Sequence, residues 1–134
     1  MNENEALARR WFQEVWNDRI DATVYELLPP HSVGHLEGGL DVRGAGEFMP
    51  VRASLFEAFP DLHVTVEETV AQADNVVVRW SAAGTHRGDS LGVPATGRAV
   101  SFRGLTWLRF EDGKLAEGWD AWNQGSLLQK LQAE

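Results

Sequence analysis

The chain has no cysteine, which removes disulfides, thiolate nucleophiles and cysteine-held metals from its chemistry. Positive charge is also scarce: twelve Lys and Arg stand against twenty Asp and Glu, for a formal net charge of -8, and the basic residues are scattered along the chain. That balance argues against nucleic acid and anionic membrane surfaces as partners. No apolar run approaches the roughly 20 residues that span a bilayer. The start, Met1-Asn2-Glu3-Asn4-Glu5, is acidic where a secretory leader is basic and then apolar, so a cytoplasmic location is the expectation. There is no Gly-x-Gly-x-x-Gly or phosphate loop, and the one Gly-x-Ser-x-Gly match, Gly88-Asp89-Ser90-Leu91-Gly92, falls in a glycine-rich loop rather than at a strand-to-helix elbow, which leaves nucleotide cofactors and serine hydrolysis without support. His31 and His35 are four apart, but Pro29-Pro30 and Gly34 oppose the helix that would bring them together as ligands. Neither a metal nor any other cofactor is expected.

What the chain does have is aromatic surface: six Trp and six Phe against one Tyr. Tryptophan this frequent implies a heavily aromatic core or a lined cavity, because each indole buries a large area and carries one polar handle. At 134 residues the expectation is a single domain, 1–134, with a core of its own.

Helical spacing comes first. Leu7, Trp11, Val15 and Ala8, Phe12, Trp16 recur behind possible caps at Asn2 or Asn4, predicting a helix over about 4–17. A short helix follows Asp21 and must stop at Pro29-Pro30. Ser32 to Leu36 reads as a brief strand, Gly38-Gly39 and Gly44 as loop. A third helix carries Phe48, Val51, Leu55, Phe56 and Phe59 on one face, with Pro50 favouring a start near Met49. From His63 the period is two: Val64, Val66, Glu68 and Val70 alternate, Asp74-Asn75 turns, and an apolar strand runs from Val76 to Thr85. After a glycine-rich loop, a long strand from Arg98 to Phe110 is joined through the hairpin signal Asp112-Gly113 to a last strand, Lys114 to Trp122. A closing helix spans 123–131.

Helices followed by an antiparallel meander imply an α+β domain, a cone-shaped curved sheet with helices covering its concave face. The long strand is apolar on both sides, with Val100, Phe102, Leu108 and Phe110 on one and Leu105 and Trp107 on the other. A second buried face is most simply covered by another subunit, so a homodimer is expected.

On the final strand Asp120 stands between Trp119 and Trp122. A carboxylate among apolar groups has a raised pKa and can both hold and release a proton near neutrality. The plainer alternative is that Asp120 faces outward or caps the closing helix. Its side depends on the hairpin: a tight two-residue turn pairs it with Leu105, whereas a bulged turn pairs it with Gly104 and sets Thr106 and Phe102 beside it.

Four stretches, Phe59-Pro60-Asp61-Leu62-His63-Val64-Thr65-Val66-Glu67, Gly84-Thr85-His86-Arg87-Gly88, Gly92-Val93-Pro94-Ala95-Thr96-Gly97-Arg98 and Gly113-Lys114-Leu115-Ala116-Glu117-Gly118-Trp119, together resemble the SnoaL-like polyketide cyclase family of the nuclear transport factor 2-like (cystatin-like) superfamily. The resemblance implies a cone-shaped α+β barrel, usually dimeric, whose pocket lies between helices and sheet. It implies an acid/base Asp in an aldol ring closure, without metal or nucleotide. Asp120 matches that acid, since it follows Trp119 as in the family's Glu-His-Trp-Asp pattern. Family members often carry His where this chain has Gly118 and a second acid where it has Asn123. His35 falls where the family commonly has a pocket-facing His or Asn, while His86 reads as structural and His63 as a surface strand residue. Trp16, Phe59, Trp107, Trp119 and Trp122 are candidates to line the pocket around a small apolar or polycyclic ligand, with Thr106 and Asn123 as polar contacts. Two functions fit: a cofactor-independent cyclase or isomerase acting on an apolar carbonyl compound, or a non-catalytic small-molecule-binding or accessory dimeric protein of the same fold.

Overall fold

The structure is a computed structural model that describes residues 2–132. It begins with helix α1 (Glu3–Arg10), capped by Asn2, whose side chain accepts the Glu5 N–H at 2.7 Å. The expected single helix over 4–17 changes winding at Trp11: residues Trp11–Asn17 form a π-helical segment. There the Asp18 N–H bonds to the Gln13 carbonyl, five residues back. The wider turn puts residues five apart on one face. Trp11 and Trp16 therefore both reach Phe48, with ring centroids 5.3 and 5.9 Å away.

Helix α2 (Asp21–Leu27) ends before Pro29-Pro30, as the sequence requires. Strand β1 (Val33–His35) then pairs with a strand that sequence patterning did not reveal, β2 (Asp41–Arg43). At three residues it is too short to show a period. Helix α3 runs Gly44–Ala58 and corrects the expected start near Met49, for Pro50 lies inside it. The proline forgoes its bond to the Gly46 carbonyl, and both residues are exposed, so solvent replaces that partner.

Four long strands complete the sheet: β3 (His63–Gln72), β4 (Asn75–Thr85), β5 (Ala99–Glu111) and β6 (Lys114–Trp122). Helix α4 (Gln124–Gln132) follows. The order is β2-β1-β6-β5-β4-β3, a curved, unclosed sheet of mixed type, because β1 runs parallel to β6 while the other pairings are antiparallel. The helices lie over its concave face. The alternation expected through Val70 breaks at a bulge between Val66 and Glu68, beyond which Val70 points outward and is 65% exposed. Among the described residues no helix is long and apolar enough to cross a membrane.

Two residues shape the loop between β4 and β5. Buried His86 accepts the Thr96 N–H on Nδ1 at 3.2 Å and ties the segment between β4 and β5 together. At Gly88 any Cβ would lie 2.2 Å from the Glu57 carbonyl oxygen.

On β5, a Cβ at Gly104 would stand 2.6 Å from Trp122 Cβ, 2.7 Å from the Trp80 ring and 2.8 Å from the Ala121 carbonyl. One obstacle is a packed ring, one a Cβ fixed to its strand and one backbone, so Gly104→Ala is expected to lower stability by about 1–3 kcal/mol, read as a lower urea midpoint.

Candidate functional site

Between helices and concave sheet lies a partly open cavity of about 240 Å³. The helical side supplies Trp11, Phe12, Trp16 and Phe48; the sheet supplies Trp80, Phe102 and Trp122. The three sheet rings pack together, with centroids 5.1–6.4 Å apart. Among the described residues, Asp120 and Glu37 are the only ionisable groups in this wall.

The orientation of Asp120 follows from the hairpin. Asp112 and Gly113 have φ of 50° and 75°, the left-handed pair of a tight two-residue turn, and Glu111 pairs with Lys114. Continued unchanged, that register would set Asp120 beside Leu105 on the outer face. The ladder slips between Phe110↔Leu115 and Arg109↔Glu117, leaving Ala116 as one extra residue. Leu115 and Ala116 are both buried, and every later residue of β6 changes side. Asp120 therefore pairs with Thr106 and faces the cavity, a register that differs from both sequence-based alternatives.

Three strands then contribute to one line of hydrogen bonds. The Trp80 indole N–H donates to Thr106 Oγ1 at 2.9 Å, and Thr106 Oγ1–H donates to Asp120 Oδ1 at 2.7 Å. An indole can only donate, so the hydroxyl must spend its single hydrogen on the carboxyl group. One carboxyl oxygen is thus anchored. Burial pushes the Asp120 carboxyl up to about 6; the Thr106 hydrogen bond opposes this and the charge of Glu37 adds to it. A carboxyl so poised ionises near neutrality and can serve as acid or base.

Trp16, Thr106 and Trp122 join Asp120 at the cavity as the sequence suggested. Five candidates lie elsewhere. His35 pairs with Trp119 across the parallel β1–β6 ladder, so the two share the outer side. There Trp119 is 38% exposed and stacks on the His35 ring at 5.5 Å. Glu117, the stronger influence, and Asp41 accept from the two His35 ring nitrogens at 2.7 and 2.9 Å and raise the imidazole's pKa. Trp107, 49% exposed, is also outside, where its indole donates to Asn75 at 2.9 Å. Phe59 is wholly buried, against Gly84 and His86, away from the cavity wall. Asn123 is exposed and accepts the Ser126 N–H at 2.8 Å, so the helix-capping role considered for Asp120 belongs to Asn123.

Sequence reasoning passed over Glu37, whose Oε2 accepts the Trp122 backbone N–H at 2.9 Å, and Gln124, which also lines the cavity. Glu37 sits in a loop with no periodicity; its one signal was an acid placed directly before Gly38-Gly39. Trp80 is core and cavity wall at once.

A family model described as SnoaL-like polyketide cyclase matches residues 6–131. The chain belongs to the SnoaL-like polyketide cyclase family. A SnoaL-like protein from Jannaschia sp. CCS1, provisionally assigned as a polyketide cyclase, is 28% identical, with a TM-score of 0.91 over 98% of this chain and 92% of that one. AclR from Streptomyces galilaeus, provisionally assigned as a hydroxylase, is 31% identical, with a TM-score of 0.84 over 96% and 80%. IdmH from Streptomyces antibioticus, provisionally assigned as a polyketide cyclase, is 28% identical, with a TM-score of 0.84 over 97% and 99%. No curated protein matches the sequence. Within this SnoaL-like fold Gly118 lines the cavity two residues before Asp120 and on the same side, and it adds no side chain there.

The raised pKa of Asp120 has a stability consequence. Its value in the fold, about 6, exceeds the ordinary 3.8, so folding takes up a proton. The stabilising contribution is complete below about pH 4 and is lost as pH rises through about 6. Asp120→Asn should therefore make the protein more stable than the parent at pH 8, by about 2–3 kcal/mol. In urea unfolding that gain should disappear by about pH 4.

Proposed function

We propose that the protein is a cofactor-independent acid/base enzyme acting on an apolar carbonyl compound held in the aromatic cavity, with Asp120 as the proton carrier. The observation that carries this reading is the single line Trp80–Thr106–Asp120, which fixes one carboxyl oxygen in a largely apolar wall. Such an arrangement costs stability at neutral pH and has a ready use in proton transfer.

In the proposed reaction the Asp120 carboxylate takes a proton from carbon next to a carbonyl, and the electron pair of the broken C–H bond moves into the enolate. For aldol ring closure, the enolate carbon bonds to a second carbonyl carbon of the same molecule, and the resulting alkoxide receives the proton back from Asp120. For isomerisation the proton returns to another carbon of the enolate system. The developing oxyanion needs a donor. His35 lies outside the cavity, and the Gln124 amide, the Ser32 and Ser54 hydroxyls and the indole N–H groups of Trp11, Trp16 and Trp122 are among the wall groups able to serve.

Asp120→Asn should lower turnover by roughly 10²-fold or more while ligand still quenches the cavity tryptophans. In the parent, kcat/KM should fall as pH drops through about 6, because the base is then protonated. Near-parental turnover in the variant removes Asp120 from the chemistry. It would favour the second reading, a small-molecule-binding or accessory protein of the same fold, for which Gly118 in the wall and Asn123 outside it speak.

A homodimer through the outer sheet face is part of the same proposal. Leu105, Trp107 and Trp119 stand there 48%, 49% and 38% exposed, and three large apolar side chains on one sheet face suit a second copy. Trp107→Glu is expected to shift the mass measured by light scattering from dimer to monomer without lowering the helix content seen by circular dichroism.

A further inference from the structure

We propose that Glu37 is a positioning residue for the proton on Asp120: a second carboxylate, carried into the cavity by the β1–β2 loop, whose charge adds to burial in keeping that proton in place. The inference deepens the acid/base reading and rests on it for its catalytic consequence; the coupling itself is a property of the ligand-free protein.

Placement comes first. Glu37 lines the same cavity as Asp120 and is tethered to the same strand, since its Oε2 accepts the Trp122 backbone N–H at 2.9 Å. Trp122 lies two residues beyond Asp120, roughly 7 Å along a strand. Both side chains face the cavity. The loop that carries Glu37 turns sharply through Gly38 and Gly39, with φ of 89° and 84°. Without a Cβ these residues adopt that geometry freely. The loop also forms the cavity rim, because Leu40 lines the cavity and is 52% exposed.

Nothing else charged reaches this wall. The helices facing Asp120 present aromatic and aliphatic side chains, and among the described residues the cavity lining includes no Lys, Arg or His. Buried Arg52 is committed to Asp21 at 2.7 Å and to the Val15 carbonyl at 3.0 Å, and it does not line the cavity. On the outer side of the same sheet edge, His35, Asp41, Glu117 and Arg109 pair among themselves. With no counter-ion in the same wall, the Glu37 charge adds to the burial that already disfavours ionisation of Asp120. The same wall is unsuited to an anionic ligand, which makes the favoured substrate an uncharged carbonyl compound rather than a carboxylate or phosphate ester.

The test is carbon-detected NMR titration of the ligand-free protein. Glu37→Gln keeps an oxygen for the Trp122 N–H and removes only the charge. Asp120 in this variant should bind its proton about tenfold more weakly, with a midpoint roughly one pH unit lower. Glu37→Asp keeps the charge and should leave Asp120 raised. Glu37→Ala removes the charge and the tether together and should also lower the Asp120 midpoint; this arm decides the matter if Glu37→Gln fails to fold. An unchanged Asp120 midpoint in Glu37→Gln or Glu37→Ala, or an equal fall in Glu37→Asp, would each overturn the proposal. Loss of the midpoint shift without loss of turnover rejects the Glu37 role alone. A normal shift with no dependence of turnover on Asp120 rejects the enzyme reading alone.

Discussion

One extra residue in β6 decides which of its side chains reach the cavity. Side chains alternate along a strand, so the bulge at Ala116 carries Trp119 to the convex face and Asp120, with Gly118 and Trp122, to the concave one. Had the ladder continued from the tight turn without slipping, Asp120 would have paired with Leu105 on the convex face and Glu117 would have taken the inward side. The family relationship describes the frame; this local slip puts the acid inside it.

Once inside, a carboxyl group needs partners, and the sheet provides them at low conformational cost. Trp80, Thr106 and Asp120 lie on three adjacent strands, and their register lets an indole N–H, a hydroxyl and a carboxyl follow in donor-to-acceptor order. Backbone pairing already fixes the three Cα positions, so holding the side chains orders few further bonds. Gly104 completes the arrangement. Its missing Cβ leaves room for Trp80 and Trp122 to close around Phe102.

The helical side is adapted to the same cavity by a different irregularity. In a regular α-helix Trp11 and Trp16 would diverge; the π-helical segment turns both toward Phe48. Pro50 sits within α3 at an exposed position, so the lost backbone bond falls where solvent can replace it and the inner face stays continuous. The two walls therefore depend on departures from regular structure, one a wider helical turn and one a strand bulge.

Periodicity, the Asp112-Gly113 turn and the proline stops were enough to show an α+β chain with helices first, a meander afterwards and β6 over Lys114 to Trp122, because local backbone preferences decide those features. They were enough as well to single out Asp120 as the acid with aromatic neighbours. They could not assign a face. His35, Trp107, Trp119 and Asn123 are near Asp120 in sequence or pattern yet fall outside the cavity, since their sides depend on a one-residue slip and on the parallel β1–β6 pairing. Glu37 was illegible for the complementary reason: it lies 83 positions before Asp120 and reaches the cavity only because a three-residue strand docks on β6. Sequence by itself determined which groups were available and which elements would carry them. The tertiary structure alone decided which groups share an apolar enclosure, because that depends on register and long-range pairing rather than on neighbours along the chain.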